Sequence, residues 1–312
     1  MTRAADRLAA SFRSIAEVER ETGLPRATVR IWERRYGFPA PSRDDRGERR
    51  YNAEQVAQLA QMHRLVQQGH RPAKLVAAGA AAIAKLAAPA ARARKSPGGP
   101  HVSAVMRLLK QHDAAGLRAE LQARLDDGGL ERFVSTELPV LSAMVGSAWV
   151  AGEVEVHEEH LYSSCVADVV RAAIVAVTQP VRPEAPRVLL TTVAQEHHEL
   201  GLLMAHAMFA LQGCPVISLG VRLPLDQIAA GARAHNAELV GLSFSAALGP
   251  SHVLRSLEGL RGLLPPQIRL WAGGNNAALG RKAIAGVRTV TDALSIAAML
   301  AEDFALPPVG AA

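Results

Sequence analysis

The sequence predicts a multidomain chain: an α-helical head, a helical bundle, and an α/β domain with a parallel sheet. Three observations predict it. Positive charge is concentrated in the first quarter: residues 1–75 hold 15 Lys and Arg against 9 Asp and Glu, and residues 76–312 hold 20 of each. Two stretches rich in Pro, Gly and Ala, at 77–100 and near 180–186, divide the 312 residues into three. The last third alternates short apolar runs with helical stretches, as parallel strands covered by helices on both faces do. The boundaries expected are 1–80 for the head, 81–100 for a linker, 101–182 for the bundle and 183–312 for the sheet domain.

A chain that is 49% hydrophobic and 21% charged can fill real cores and is not wholly disordered. No window approaches 18 apolar residues, so no membrane span is expected. The first residues lack the apolar core of a signal peptide. Cys165 and Cys214 have no metal-ligand spacing and suit a reducing cytoplasm.

In the head, Ser14-Ile15-Ala16-Glu17 is a capping box that opens a helix. Thr22-Gly23-Leu24 is a tight turn, and Pro25 stands at the first position of a second helix through Arg35. Helix, short turn, helix is helix-turn-helix geometry. Val29 and Trp32 face inward, while Arg26, Arg30 and Arg34 share another face. Residues 36–41 are too rich in Pro and Gly for helix. Residues 42–51 read as a hairpin with a charged tip, and Asn52 with Gln55 caps a third helix whose apolar stripe is Val56, Leu59, Leu65 and Val66. The localised charge is a footprint for a polyanion, against the blander alternative of a solubilising surface.

The run Thr28-Val29-Arg30-x-Trp32-Glu33-Arg34-Arg35-Tyr36-Gly37, with Pro39-x-Pro41-x-Arg43, Arg50-Tyr51 and Leu65-x-x-x-Gly69, resembles the winged helix-turn-helix of the MerR family of transcription regulators over residues 12–75. The resemblance implies dimeric binding to double-stranded operator DNA with inverted repeats. It puts Arg26, Thr28 and Arg30 at base edges, with Arg34 beside them, and Arg43, Arg49 and Tyr51 on the phosphate backbone. The alternative is a winged helix that binds protein.

Residues 101–179 are rich in Ala, Leu and Val without strand-like alternation, which predicts a helical bundle. Beyond the proline break, strands are expected at 188–193, 215–219, 239–244, 268–272 and 287–290. Helices are expected over about 201–212 and from a cap at Asp226 to His235. This is a Rossmann-like, flavodoxin-like order of elements, and such sheets bind ligands beyond the carboxyl ends of their strands. The places to look are therefore just after Val193, Leu219, Phe244 and Ala272.

Glu196-His197-His198-Glu199-Leu200-Gly201 falls at the first of these. A His with a carboxylate two residues away reads as a metal ligand with its orienting partner. The blander reading is a polar helix cap, with Glu196 and Glu199 favouring the helix dipole. Zinc is a weaker reading, because neither H-E-x-x-H nor H-x-x-E-H is present. The pattern Glu196-x-His198-x-x-Gly201, in register with Ser243-Phe244-Ser245 and Gly273-Gly274 at two later strand ends, resembles the cobalamin-binding domain shared with methionine synthase. That resemblance implies His198 as lower axial ligand of cobalt, and a slot for the displaced nucleotide tail lined by Ser243, Ser245, Gly273 and Gly274. Val193, Leu219, Gly220 and Val221 complete its walls. Glu196 stands where many members have Asp, and Ser245 differs from the common residue.

Trp149, nine residues and then Glu159-His160 resemble the helical cap of the cobalamin photoreceptors that repress carotenoid genes, which also begin with a MerR-type head. The alternative is a core Trp beside a solvated acidic run. The resemblance implies that Trp149, Glu159 and His160 lie against the adenosyl group of adenosylcobalamin, that the chain is a homo-oligomer, dimer or tetramer, and that light acts on it. Some of those photoreceptors carry a second His after the cap Trp, where this chain has Val150. The whole then reads as a repressor controlled by cobalamin and not an enzyme, since no P-loop, nucleophile elbow or nucleotide fingerprint is present. The alternatives are a regulator that keeps the fold without cobalamin or light control, and a corrinoid methyl carrier.

Overall fold

Ser14 and Glu17 cap each other as the sequence predicts: the Ser14 N–H donates to Glu17 at 2.7 Å, and the Glu17 N–H to Ser14 Oγ at 3.3 Å. In the computed structural model, which describes residues 12–22, 24–67, 72–87, 100–177, 180–281 and 283–309, this box follows β1 (Phe12–Arg13) and opens α1 (Ile15–Thr22). α2 (Arg26–Tyr36) comes next and ends on Gly37, whose positive φ of 69° takes the left-handed cap. Pro25 precedes that helix instead of starting it, and the turn at Gly23 lies outside the described residues.

β2 (Ser42–Arg43) and β3 (Arg49–Asn52) form the wing, and β3 also pairs antiparallel with β1. Asn52 and Gln55 make the second reciprocal cap, at 2.8 and 3.1 Å, and begin α3 (Ala53–Gln67). α4 (Pro72–Ala87) follows, broken at Gly79, where φ is 79°. The core holds Val18, Val29, Trp32, Leu59, Met62 and Leu65. It also holds Leu75 and Ile83, so the head runs past residue 80 and the expected linker over 81–87 is helix. An Ala-rich stretch reads as linker by composition, but a buried Leu and a buried Ile on either side of the break anchor it. Residues 88–99 lie outside the described residues.

The chain divides into two units, one of residues 1–95 with 148–153, the other of 96–147 with 154–312. The second contains the bundle: α5 (Pro100–Lys110), α6 (Ala114–Arg132), α7 (Leu138–Ala151) and α8 (Val156–Val175), the last turn of α7 being grouped with the first unit. Asp113 caps α6 through the Gly116 N–H at 2.8 Å. Gly129, at φ 72°, interrupts α6, and a π turn over Phe133–Glu137 precedes Pro139, whose missing N–H cannot continue the helical ladder.

The sheet domain follows: β4 (Val188–Thr191), α9 (Leu200–Leu211), β5 (Val216–Ser218), α10 (Leu225–Ala234), β6 (Leu239–Ser243), α11 (Pro250–Leu263), β7 (Arg269–Gly273), β8 (Val287–Val290) and α12 (Ser295–Phe304). All pairs are parallel, in the order β5-β4-β6-β7-β8. This is the flavodoxin-like order, whose direction reverses between its first and third strands. Fully buried residues in β4 and β6, all apolar except Gly241, Ser243 and Thr191, reflect cover on both faces. Asp226 sits in the first turn of α10, and Pro224 occupies the cap position that had been expected of it. Among the described residues no helix is long and apolar enough to cross a membrane.

Candidate functional site

The turn after β4 carries Glu196, and its carboxylate is 1% exposed. An ionised group there needs full hydrogen bonding. It has four donors: the His198 N–H at 3.0 Å, His198 Nδ1 at 2.6 Å, the Ser245 N–H at 2.8 Å and Ser245 Oγ at 2.9–3.0 Å. Burial alone would raise the carboxyl, but the bonds from His198 and Ser245 outweigh it and hold Glu196 below the usual carboxylate range. The hydrogen bond to Glu196 raises the imidazole of His198 above its ordinary value, against its own burial and with further help from the Glu196 and Glu159 charges.

The result is a histidine fixed through Nδ1, with Nε2 unpartnered among the described residues and the side chain 55% exposed. That is the state in which an imidazole ligates a metal through Nε2. It lies between β4 and β6, at the switch point. Thr192 braces the turn: its Oγ1 donates to the Glu196 carbonyl and accepts from the Arg222 N–H, both at 2.8 Å. Arg171 of α8 pairs with Glu199. Glu199 is the N-cap residue of α9, but its side chain makes no cap hydrogen bond to that helix.

Beside the His198 loop, Ser243 is 9% exposed and its Oγ has no hydrogen-bond partner among the described residues. A Cβ on Gly201 would stand 2.3 Å from that oxygen, so only glycine lets α9 begin this close to β6. Gly274, at φ 114°, lies where a Cβ would meet the Phe244 carbonyl at 2.2 Å. Gly201, Ser243, Ser245, Gly273 and Gly274 therefore converge at adjoining strand ends. Val193 does not join them: it is 1% exposed and packs with Leu219 in the core beneath the sheet, because its strand end is covered by α10. Gly220 contributes its carbonyl to Thr191 Oγ1 at 2.9 Å.

On α8, Glu159 accepts from His160 Nδ1 at 2.8 Å and from Ser163 at 2.7 Å. Trp149 belongs to the first unit, where its ring meets His63 edge-on at 6.2 Å. The side chain of Val150 lies outside those described.

In the head, Val29 and Trp32 are buried and Arg26, Arg30 and Arg34 are exposed, as the helical period requires. Arg30 and Arg34 have no partner among the described residues. Arg26 is held by Glu19 at 2.6 Å, Arg49 by Glu33 at 2.9 Å, and Arg43 folds onto the Gly47 carbonyl at 2.8 Å. Thr28 is half-buried in the first turn of α2. Tyr51 corrects the expectation of a phosphate contact: it is 0% exposed, in the head core, because alternate residues of β3 face inward. Its hydroxyl is buried without a partner.

Residues 13–76 match the family described as MerR HTH family regulatory protein, and residues 186–294 match the B12 binding domain. The chain is 31% identical over 260 residues to the HTH-type transcriptional repressor CarH of Myxococcus xanthus, an alignment covering 79% of this chain and 83% of that one. It is 30% identical over 258 residues to CarA of the same organism, covering 80% and 83%. The chain belongs to this family of MerR-headed, B12-domain transcriptional regulators. The structure of the Methanosarcina barkeri monomethylamine corrinoid protein superposes with a TM-score of 0.52 at 16% identity, over 64% of this chain and 95% of that one, a likeness of fold.

Within this family frame the residues fit a cobalamin. His198 offers a free Nε2, Ser243 an unpartnered hydroxyl beside the cradle made by Gly201, and Gly274 a close approach to β6. Sequence reasoning missed Thr192, Asn275 and Asn276. Asn276, 5% exposed, donates to the Ser245 and Leu248 carbonyls at 2.7 Å, and Asn275 accepts from the Ala246 N–H at 2.7 Å. An Asn pair directly after Gly273-Gly274 at a strand end was the available signal.

Proposed function

We propose that this chain is a cobalamin-controlled transcriptional repressor of the cytoplasm that binds inverted-repeat operator DNA as a homo-oligomer. The observation that carries the proposal is His198, oriented by a buried Glu196 at the switch point of a B12-type sheet in a chain with a MerR head. When bound, adenosylcobalamin supplies a Co–C bond that light cleaves. His198 would ligate the cobalt through Nε2, with Glu196 keeping its proton on Nδ1. Ser243, Ser245, Gly273 and Gly274 receive the nucleotide tail. By the resemblance, Trp149, Glu159 and His160 would each contact the adenosyl group, and those contacts would differ between ligand states. A ligand shifts assembly only through such differential contacts. Arg30 and Arg34, unpaired on α2, approach base edges with Arg26 and Thr28, and Arg43 and Arg49 approach phosphates.

One residue favours a second reading, a regulator that binds cobalamin without a stable light response. Val150 carries no ligating atom where related photoreceptors have a second His. The deciding experiment is size-exclusion chromatography of the full chain with operator DNA, without cobalamin, with adenosylcobalamin in the dark, and after illumination. The proposal expects a larger DNA-bound oligomer only with adenosylcobalamin in the dark. The same oligomer in all three samples refutes cobalamin control, and dark and lit samples that agree with each other but differ from the cobalamin-free one establish the second reading.

A further inference from the structure

Away from the His198 loop, three side chains converge at one end of the bundle. His112 stands in the turn between α5 and α6, held at a positive φ of 54°. His157 and Glu158 stand in the first turn of α8. The Nε2 atoms of the two histidines are 3.3 Å apart, and Glu158 Oε1 is 3.4 Å from His112 Nε2. One ligand atom from each of the three lies within 4.8 Å of the others. Nitrogens bound tetrahedrally to zinc at roughly 2.0–2.1 Å are about 3.3 Å apart. Two of the three separations are thus already those of a coordination sphere, with no side chain moved.

The chemistry of the three groups agrees. The histidine rings are tilted by 38° with centroids 5.3 Å apart, so they do not stack face to face, and both are exposed to solvent. Glu158 is 2% exposed and fixed before any ion arrives. Its Oε2 accepts from the Glu155 N–H at 2.7 Å and from Lys110 Nζ at 2.8 Å. Oε1 is left facing His112. Those bonds outweigh burial and keep the carboxyl ionised below its usual range. A buried anion oriented by its neighbours, with two imidazole nitrogens in front of it and solvent beyond, is a three-ligand face with an open fourth position.

We propose that His112, His157 and Glu158 form a binding site for a divalent transition ion of the zinc class. Two imidazoles and one carboxylate select borderline ions such as Zn2+ over Mg2+ or Ca2+, which prefer all-oxygen shells. Both rings then carry their proton on Nδ1 and present Nε2. The ion ties the α5–α6 turn to the start of α8, one residue before Glu159 and His160.

The test is a titration of the untagged, chelator-treated full chain with ZnCl2 against a chromophoric chelator. One zinc should bind per chain. His112→Ala and His157→Ala, both at exposed positions, should each weaken it by at least about tenfold, the lower end of what even outer partners of a metal site contribute. His198→Ala should leave it unchanged, which separates this site from the cobalamin site. Zinc should also raise the melting temperature of the wild-type chain and not that of His112→Ala. Equal affinity in wild type, His112→Ala and His157→Ala overturns the site. Loss of binding only in His198→Ala moves it to the sheet.

Discussion

Replacing Glu196 by Gln changes one atom and should disable the sheet site. The carboxylate takes four donors, two from His198 and two from Ser245. A carboxamide offers one acceptor oxygen and turns an NH2 toward the other donors. If the NH2 faces Ser245, the Ser245 N–H loses its acceptor while Oγ can rotate to accept. If it faces His198, both the backbone N–H and Nδ1 lose theirs. The first arrangement is the cheaper. It still forfeits one charge-assisted hydrogen bond, worth about 1.5–3 kcal/mol. For a unit of this size that lowers the melting temperature by roughly 3–12 °C at neutral pH. The sign with pH is fixed by the depressed carboxyl of Glu196. Its contribution is present above its unfolded value and is lost as pH falls through the folded value, so wild type and variant should converge in acid.

The same substitution acts on cobalamin through His198. Its imidazole is raised chiefly by the Glu196 hydrogen bond, then by the Glu196 and Glu159 charges. A proton on Nε2 competes with cobalt, so retention should fall by about tenfold per pH unit below the raised value. In Glu196→Gln that inflection should move to lower pH as the imidazole becomes less basic. Retention above it should drop about 10–100-fold, as for other orienting partners of metal ligands. Visible spectra after gel filtration across pH, with thermal melts of the cobalamin-free protein, measure both effects. A variant with the wild-type melt and an unmoved inflection would refute the reasoning, because Glu196 would then be neither brace nor tuner.

Arg30→Ala should weaken operator binding by about 1–3 kcal/mol and relax preference at one base position, read by fluorescence anisotropy on single-site operator variants. Uniform weakening on every sequence would make Arg30 a phosphate contact. Gly201→Ala places a methyl 2.3 Å from Ser243 Oγ. It should abolish cobalamin retention while circular dichroism keeps its helical signal, and full retention would show that the cradle is not part of the site. Tyr51→Phe removes a buried hydroxyl without a partner. It should stabilise the head by up to about 1–3 kcal/mol with operator affinity unchanged, and weaker DNA binding would restore a phosphate role to that hydroxyl.

The sheet domain was legible in the sequence because its strands are buried on both faces. Val188-Leu189-Leu190 and Leu239-Val240 read as apolar runs, and the turn residues fall at their ends. The His198 loop was legible for the same reason: a polar cluster directly after a strand of such a sheet has one place to be. The side of the slot taken by Val193 was not, since alternation cannot say which face α10 covers. Tyr51 misled because a tyrosine beside Arg49 and Arg50 reads as surface, whereas the pleat of a four-residue strand sends it inward. The end of the head was hidden by composition, with Leu75 and Ile83 as buried anchors in an Ala-rich helix. His112 and His157 are 45 residues apart. Only the packing of α5, α6 and α8 brings them together, so no local spacing announces the site.

Glu196 and Ser245, the two residues at which the sequence differs from the cobalamin-domain pattern it resembles, are in contact. The Glu196 side chain reaches across the switch point. Its carboxylate meets His198 on the β4 side and both the N–H and Oγ of Ser245 on the β6 side. Ser245 Oγ also approaches His198 Nδ1 at 3.0 Å. A serine supplies the second donor that a buried carboxylate requires, since an ionised group that lost its partners there would be strongly destabilising. Asn276 in turn fixes Ser245 by holding its carbonyl. The orientation of one exposed imidazole is therefore set by three strand ends, β4, β6 and β7, instead of by its own loop. An imidazole held from three strand ends cannot turn with its own loop, so a change in any one of those ends should reach His198.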